Sequence, residues 1–192
     1  KERKRIICFS PHPDDDVISM GGTLIRLVED GHEVHVAYMT SGNIAVFDHD
    51  VRRVVDVVVE FNRQFGIDEE KSRQLESRVR EALAAKQPGE PDDEAVLKIK
   101  GLIRYSEAIS GATCCGCKEE NLHFLDLPFY RTGRIKKKPV GPDDVRIIRE
   151  LLEERGFPAR KVKFLASRRS AGLKLKFNGD MYPVEELTPE SF

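Results

Sequence analysis

An uninterrupted apolar run, Ile6-Ile7-Cys8-Phe9, stops at Ser10-Pro11, and the next five positions, His12-Pro13-Asp14-Asp15-Asp16, hold one imidazole and three carboxylates. Apolar residues on consecutive positions, rather than alternating ones, mark a parallel strand buried on both faces. That constraint points to an α/β sheet. The polar cluster then falls where the strand ends, the edge at which open α/β sheets bind ligands. Pro13 biases His12 toward an extended conformation, and a helix is predicted over Val17 to Glu29, with the carboxylates just ahead of it. The cluster is thereby expected on a strand-to-helix turn.

Neutral imidazole nitrogen and carboxylate oxygen are both good zinc ligands, and a catalytic zinc site needs only three protein ligands plus water. A neighbouring carboxylate outside the metal's shell can accept a proton from water. The competing reading is that Asp14, Asp15 and Asp16 cap a helix, with His12 a packed turn residue. Capping needs only one carboxylate, which favours a site. Gly21-Gly22 fits either close packing of the helix on the sheet or access for substrate.

His12-Pro13-Asp14-Asp15-Asp16 followed by Gly21-Gly22-Thr23-Leu24 resembles the opening motif of the LmbE-like, or PIG-L, family of zinc-dependent de-N-acetylases, whose usual last letter is Glu rather than Asp16. Val34 to Gly42 resembles the family's second strand and its Thr-Ser-Gly turn. Arg104-Tyr105-Ser106-Glu107-Ala108 is similar to its Arg-x-x-Glu-Ala helix, and Asn121 to Tyr130 to its Leu-Pro strand end. P-H-P-D-D-D-V-I-S-M-G-G and T-S-G-N-I-A-V-F-D-H-D are most similar to the domain fused to glucosamine-6-phosphate deaminase-like sequences in some bacteria. The resemblance covers roughly Arg5 to Gly156 and implies a Rossmann-like three-layer α/β sandwich with a mostly parallel sheet. It implies Zn2+ or a similar divalent ion as cofactor, His12 and Asp15 as ligands, and Asp14 as general base. Arg104, Gly42 and Asp16 are expected on the substrate side, with Arg104 contacting or organising the substrate region.

The family's third ligand is a histidine in a downstream His-x-Asp-His-like motif, which this chain lacks; its histidines are His12, His32, His35, His49 and His123. His49, in the polar loop F-D-H-D, and Asp126, at the end of a predicted strand, are the candidate substitutes. His123 is expected to be a wall residue. The implied activity is removal of an N-acetyl group from an N-acetylglucosamine-type sugar. The alternative is a degenerate amino-sugar-binding module of a deaminase-like parent. Dinucleotide binding is excluded by the lack of G-x-G-x-x-G after the first strand.

A net charge of -1 with 34% charged residues gives no electrostatic case for nucleic acid, and no run of 18 apolar residues suggests a membrane span. The partner expected is a small amino sugar, in a cytoplasmic protein whose four cysteines are reduced thiols. Lys1 in place of Met predicts a segment of a larger parent chain. One domain over 1–192 is expected, with a divergent tail over 157–192. Val54, Val55, Val58, Phe61 and Phe65 form one helical stripe, and Val96, Ile99 and Ile103 another. Between them Glu69 to Lys86 reads as a solvent-facing helix, or else a lid or contact of a homo-oligomer. Val145 to Leu152 reads as a helix, Lys161 to Ala166 as a strand, and Leu173 to Phe177 with Asn178-Gly179 as a hairpin. Lys136, Lys137 and Lys138 read as a solvated loop, or as a sugar-phosphate contact if that loop reaches the site.

Overall fold

The computed structural model describes residues 2–87, 89–130, 139–157, 174–177 and 180–183. They form a mixed α/β structure whose contacts divide into two compact units, Lys1–Asp144 and Val145–Phe192. In the first unit β1 (Arg5–Ser10), β2 (Glu33–Tyr38) and β3 (Leu122–Phe124) form a parallel sheet in that order. Register pairs Ile6 with Val34, Ser10 with Tyr38 and Val36 with Leu122, so the three C-terminal ends lie along one edge. Between β1 and β2 runs α1 (Asp15–Glu29); α2 (Asp48–Phe65), α3 (Glu69–Ala85) and α4 (Glu94–Cys114) separate β2 from β3. α5 (Pro142–Glu154) follows.

Alternation along β2 explains the sheet's position. Val34, Val36 and Tyr38 join Cys8, Leu24, Ala108, Ala112 and Leu122 in one core, while His35 and Ala37 on the opposite face are also buried. The central strand is therefore covered on both sides, as its near-continuous apolar sequence requires. Small residues let α1 and α4 approach each other: a Cβ on Gly111 would sit 3.1 Å from Val17, and one on Gly21 3.7 Å from Cys115 Sγ. Gly21 is thus a packing glycine, whereas Gly22 faces open space.

A second core gathers Val46, just before α2, with Val51, Val55, Val79, Leu83, Val96 and Ile99 from α2, α3 and α4. Here burial departs from the predicted stripes. Val58, Phe61 and Phe65 of α2 are exposed and Val51 is buried instead. α3 is not wholly solvent-facing, since Val79 and Leu83 are buried while Leu75 stays out. Two further boundaries shift. α1 begins at Asp15 rather than Val17, because Asp15 and Asp16 suit the positive end of the helix. β3 is limited to Leu122–Phe124; beyond it, Leu125 N–H donates to the Tyr38 carbonyl at the end of β2 and Leu127 N–H to that of Met39, at 2.9 Å each.

In the second unit, β4 (Lys174–Phe177) pairs antiparallel with β5 (Asp180–Pro183), Leu175 opposite Tyr182, in the predicted hairpin. The predicted strand over 161–166 and the lysine loop over 136–138 lie outside the described residues. No helix among the described residues is long and apolar enough to cross a membrane.

Candidate active site

The turn between β1 and α1 is tied together by groups buried beneath it. Ser10 Oγ donates to the His12 carbonyl at 2.7 Å and accepts from Asp16 N–H at 3.1 Å, so one hydroxyl fixes both ends of the turn. Asp16, 2% exposed, accepts from the Tyr38 hydroxyl at 2.9 Å, and that hydroxyl also lies 3.3 Å from the Ala108 carbonyl. Burial and the neighbouring Asp16 carboxylate raise the Tyr38 phenol well above its ordinary range, which keeps it a donor. The same two causes push the Cys8 thiol up to about 11. Asp16 is therefore a positioning group under the site. Its side chain points into the first core rather than toward the substrate side expected of it.

His12, Asp14 and Asp15 stand above that base. Asp15 Oδ2 accepts from His12 N–H at 3.0 Å and lies 2.9 Å from His12 Nδ1. A carboxylate anion only accepts, so Nδ1 carries the proton and Nε2 accepts from the Tyr130 hydroxyl at 3.1 Å. Tyr130 arrives on the short 3₁₀ turn Pro128–Tyr130, and buried Asp144 anchors that turn by accepting from Phe129 N–H at 2.9 Å and Gly141 N–H at 2.7 Å.

Asp14 occupies the position before α1 but makes no side-chain capping bond, so helix capping does not account for it. Its carboxylate instead accepts from Arg104 at 2.8 Å. Arg104 also donates to the Pro13 carbonyl and to Glu107, one helical turn on, which gives the Arg-x-x-Glu spacing its physical reason. These bonds hold Asp14 at φ +153°, a conformation costly for a residue with a Cβ. Among the described residues Arg104 Nε is buried with no hydrogen-bond partner. Gly42 explains the narrowness of this corner: at φ +64° a Cβ there would come within 2.8 Å of Pro13 Cδ and 3.3 Å of Arg104 Nε.

His12, Asp14, Asp15, Arg104 and Gly42 are thus gathered at the C-terminal edge of the sheet. The proposed substitutes have other surroundings. His49 stacks on Phe47 with centroids 5.7 Å apart and lies 3.5 Å from Asp50, and Asp126 sits exposed at φ +44°. Among the described residues no third His, Cys, Asp or Glu joins His12 and Asp15 in a group able to hold a metal. In the described arrangement a hydrogen bond at 2.9 Å joins these two donors, and the Nδ1 proton would have to leave before both atoms could ligate one zinc. Tyr130, Tyr38, Ser10 and Asp144 were not singled out from sequence. Nothing local marks them, since each acts through a partner 6 to 118 residues away or, for Asp144, through the turn it braces.

The family model for GlcNAc-PI de-N-acetylases matches residues 7–155. This chain belongs to the PIG-L family. A glucosamine-6-phosphate deaminase-like protein of Bacteroides thetaiotaomicron is 51% identical over 152 residues, 79% of this chain and 23% of that protein. Diacetylchitobiose deacetylase of Thermococcus kodakarensis is 38% identical over 48 residues, 25% of this chain and 18% of that enzyme. Aspartate-semialdehyde dehydrogenase of Corynebacterium glutamicum is 54% identical over 43 residues, 22% of this chain and 12% of that enzyme. The chain spans less than a quarter of the length of these relatives. No solved structure matches it.

Proposed function

We propose that the PIG-L domain is a zinc-dependent amidohydrolase that removes the N-acetyl group of an N-acetylglucosamine-type sugar, on a Rossmann-like α/β scaffold. One observation carries the reading: in a member of a de-N-acetylase family, Asp14 is held by Arg104 beside the paired donors His12 and Asp15. Zinc bound by that pair, with remaining positions filled by water or by residues outside those described, would supply Lewis-acid polarisation and a more acidic water. Asp14 accepts the proton of the attacking water and returns it to the amine nitrogen as the C–N bond breaks, giving acetate and a free amine. Arg104 keeps the carboxylate aimed. Tyr130 fixes the His12 ring. Asp16 and Tyr38, below, hold the turn in register.

A second reading is an amino-sugar-binding module of a deaminase-like parent, and the specific observation behind it is the histidine-free sequence after His123. Acetate release from N-acetylglucosamine derivatives, with zinc added and with zinc chelated, separates the two. Zinc-dependent release supports the hydrolase. Saturable sugar binding without release under both conditions would replace it with the binding module. The dehydrogenase likeness, at 12% of that enzyme, adds no activity to this reading.

A further inference from the structure

Both nitrogens of the His12 ring are engaged before any metal enters. Nδ1–H faces Asp15 Oδ2 at 2.9 Å, and Nε2 accepts from the Tyr130 hydroxyl at 3.1 Å. A neutral imidazole carries one proton, so Nδ1 offers no lone pair beside Asp15 while the proton sits there. Ligation through Nδ1 therefore needs the proton gone from that nitrogen. Carrying it at Nε2 instead keeps the ring neutral, the form in which histidine binds metals. Which form the ring takes is then decided by the group that faces Nε2.

That group is a hydroxyl. An ammonium or a backbone N–H in its place would only donate and would bar a proton from Nε2. A carboxylate or carbonyl would only accept and would hold the proton there at all times. A hydroxyl does both by turning its O–H bond, with no shift of heavy atoms. Tyr130 is also held in place. Leu127 N–H donates to the Met39 carbonyl at 2.9 Å, Tyr130 N–H to the Leu127 carbonyl at 3.1 Å, and buried Asp144 accepts from Phe129 N–H at 2.9 Å. The His12 and Tyr130 rings meet edge to face, with centroids 5.4 Å apart.

We propose that Tyr130 is a positioning residue that serves both tautomers of His12, donating to Nε2 while Nδ1 holds the proton and accepting from Nε2–H once Nδ1 ligates zinc. The protons balance. One leaves Nδ1 to water and one enters Nε2 from water, so the ring stays neutral and Asp15 stays an anion. The His12 side chain, 41% exposed, gives water the access this exchange needs. The proposal rests on the zinc reading and adds the residue that sets how tightly His12 ligates. A rival geometry, zinc at Nε2 in the hydroxyl's place, would make Tyr130 a competitor and reverse the sign of its effect.

The test measures zinc affinity of the full chain by competition with a colorimetric chelator, in wild type and in Tyr130→Phe, which keeps the ring and removes the hydroxyl. Histidine 15N spectra with and without zinc, and the melting temperature of the zinc-free protein, accompany it. The expected result is that Tyr130→Phe binds zinc about tenfold more weakly while its zinc-free melting temperature barely moves. In wild type the His12 proton should pass from Nδ1 to Nε2 on loading. Equal or tighter zinc binding by Tyr130→Phe, or a His12 proton still on Nδ1 in the loaded wild type, overturns the proposal and leaves the zinc site standing. A weaker affinity matched by a large fall in zinc-free melting temperature overturns it as well, since the hydroxyl would then serve packing alone. No zinc bound by wild type overturns the proposal and the zinc reading together.

Discussion

The two cores of the first unit hold charge in different ways. Under the turn between β1 and α1, one buried carboxylate, Asp16, accepts from the neutral Tyr38 hydroxyl at 2.9 Å and lies 3.3 Å from Ser10 Oγ, which itself accepts from the Asp16 backbone N–H. Among the helices, buried Lys100 is satisfied by full charges, Asp48 and Asp92, with Lys86 sharing both. The first arrangement keeps an anion in a fixed place using hydroxyls that need no counterion, which suits a base for three precisely placed side chains. The second is a set of mutual ion pairs open to solvent on one side. The comparison teaches that the sheet region is built for position and the helical region for a polar surface that something else can touch.

The contrast breaks most visibly when a charge loses its partners. Lys100→Met should destabilise the protein by about 3 kcal/mol, the lower end for stripping one member from a buried ion pair because Asp48 keeps solvent access, and a shift in the urea midpoint checks it. Leu24→Ala in the first core should cost a similar amount, about 3 kcal/mol, by leaving a cavity rather than a charge. Asp16→Ala should come next, at about 2 kcal/mol, since the Tyr38 hydroxyl keeps only the 3.3 Å contact to Ala108. In that variant hydrolysis should fall further than stability accounts for, while Asp16→Asn should recover part of both; equal losses would make Asp16 a packing residue only.

Acid should act on the helical region first. The hydrogen bond from Lys100 holds Asp48 below its ordinary 3.8, ahead of the opposing effect of burial. A depressed carboxylate adds stability that is present above pH 3.8 and lost as pH falls through its folded value, so wild type should weaken with acid in that window and Lys100→Met should weaken less. Parallel acid curves would contradict the network. The smallest effect is expected on the outer face of α2: Phe61→Ser and Phe65→Ser should each change stability by no more than about 0.5 kcal/mol, because both rings are exposed.

That last expectation shows where sequence patterns carried information and where they did not. Val34 to Tyr38 announced a buried parallel strand because strand burial depends on consecutive residues, whereas Ile6, Ile7 and Phe9, in the edge strand β1, are only half-buried rather than covered on both faces as expected. The grouping of the proposed site was legible for the same reason: His12, Asp14 and Asp15 are neighbours in sequence, and Arg104, which bonds to Asp14, came with a recognisable helix. Val58, Phe61 and Phe65 misled, since helical periodicity reveals an apolar stripe without saying which neighbours cover it. Tyr130 and Tyr38 were silent because their partners, His12 and Asp16, lie 118 and 22 residues away. The Lys100 network was equally silent, as Asp48 on α2, Lys100 on α4 and Lys86 and Asp92 in the segment between α3 and α4 look like ordinary surface until the helices converge.

The central claim is that Asp14 moves the proton while His12 and Asp15 hold the metal. Measuring bound zinc and acetate release together in Asp14→Asn and Asp15→Ala tests it most directly. The account predicts that Asp14→Asn keeps its zinc and slows by roughly 10²–10⁴-fold, whereas Asp15→Ala loses the zinc and the activity with it. Loss of zinc in Asp14→Asn, or undiminished zinc in Asp15→Ala, would contradict it.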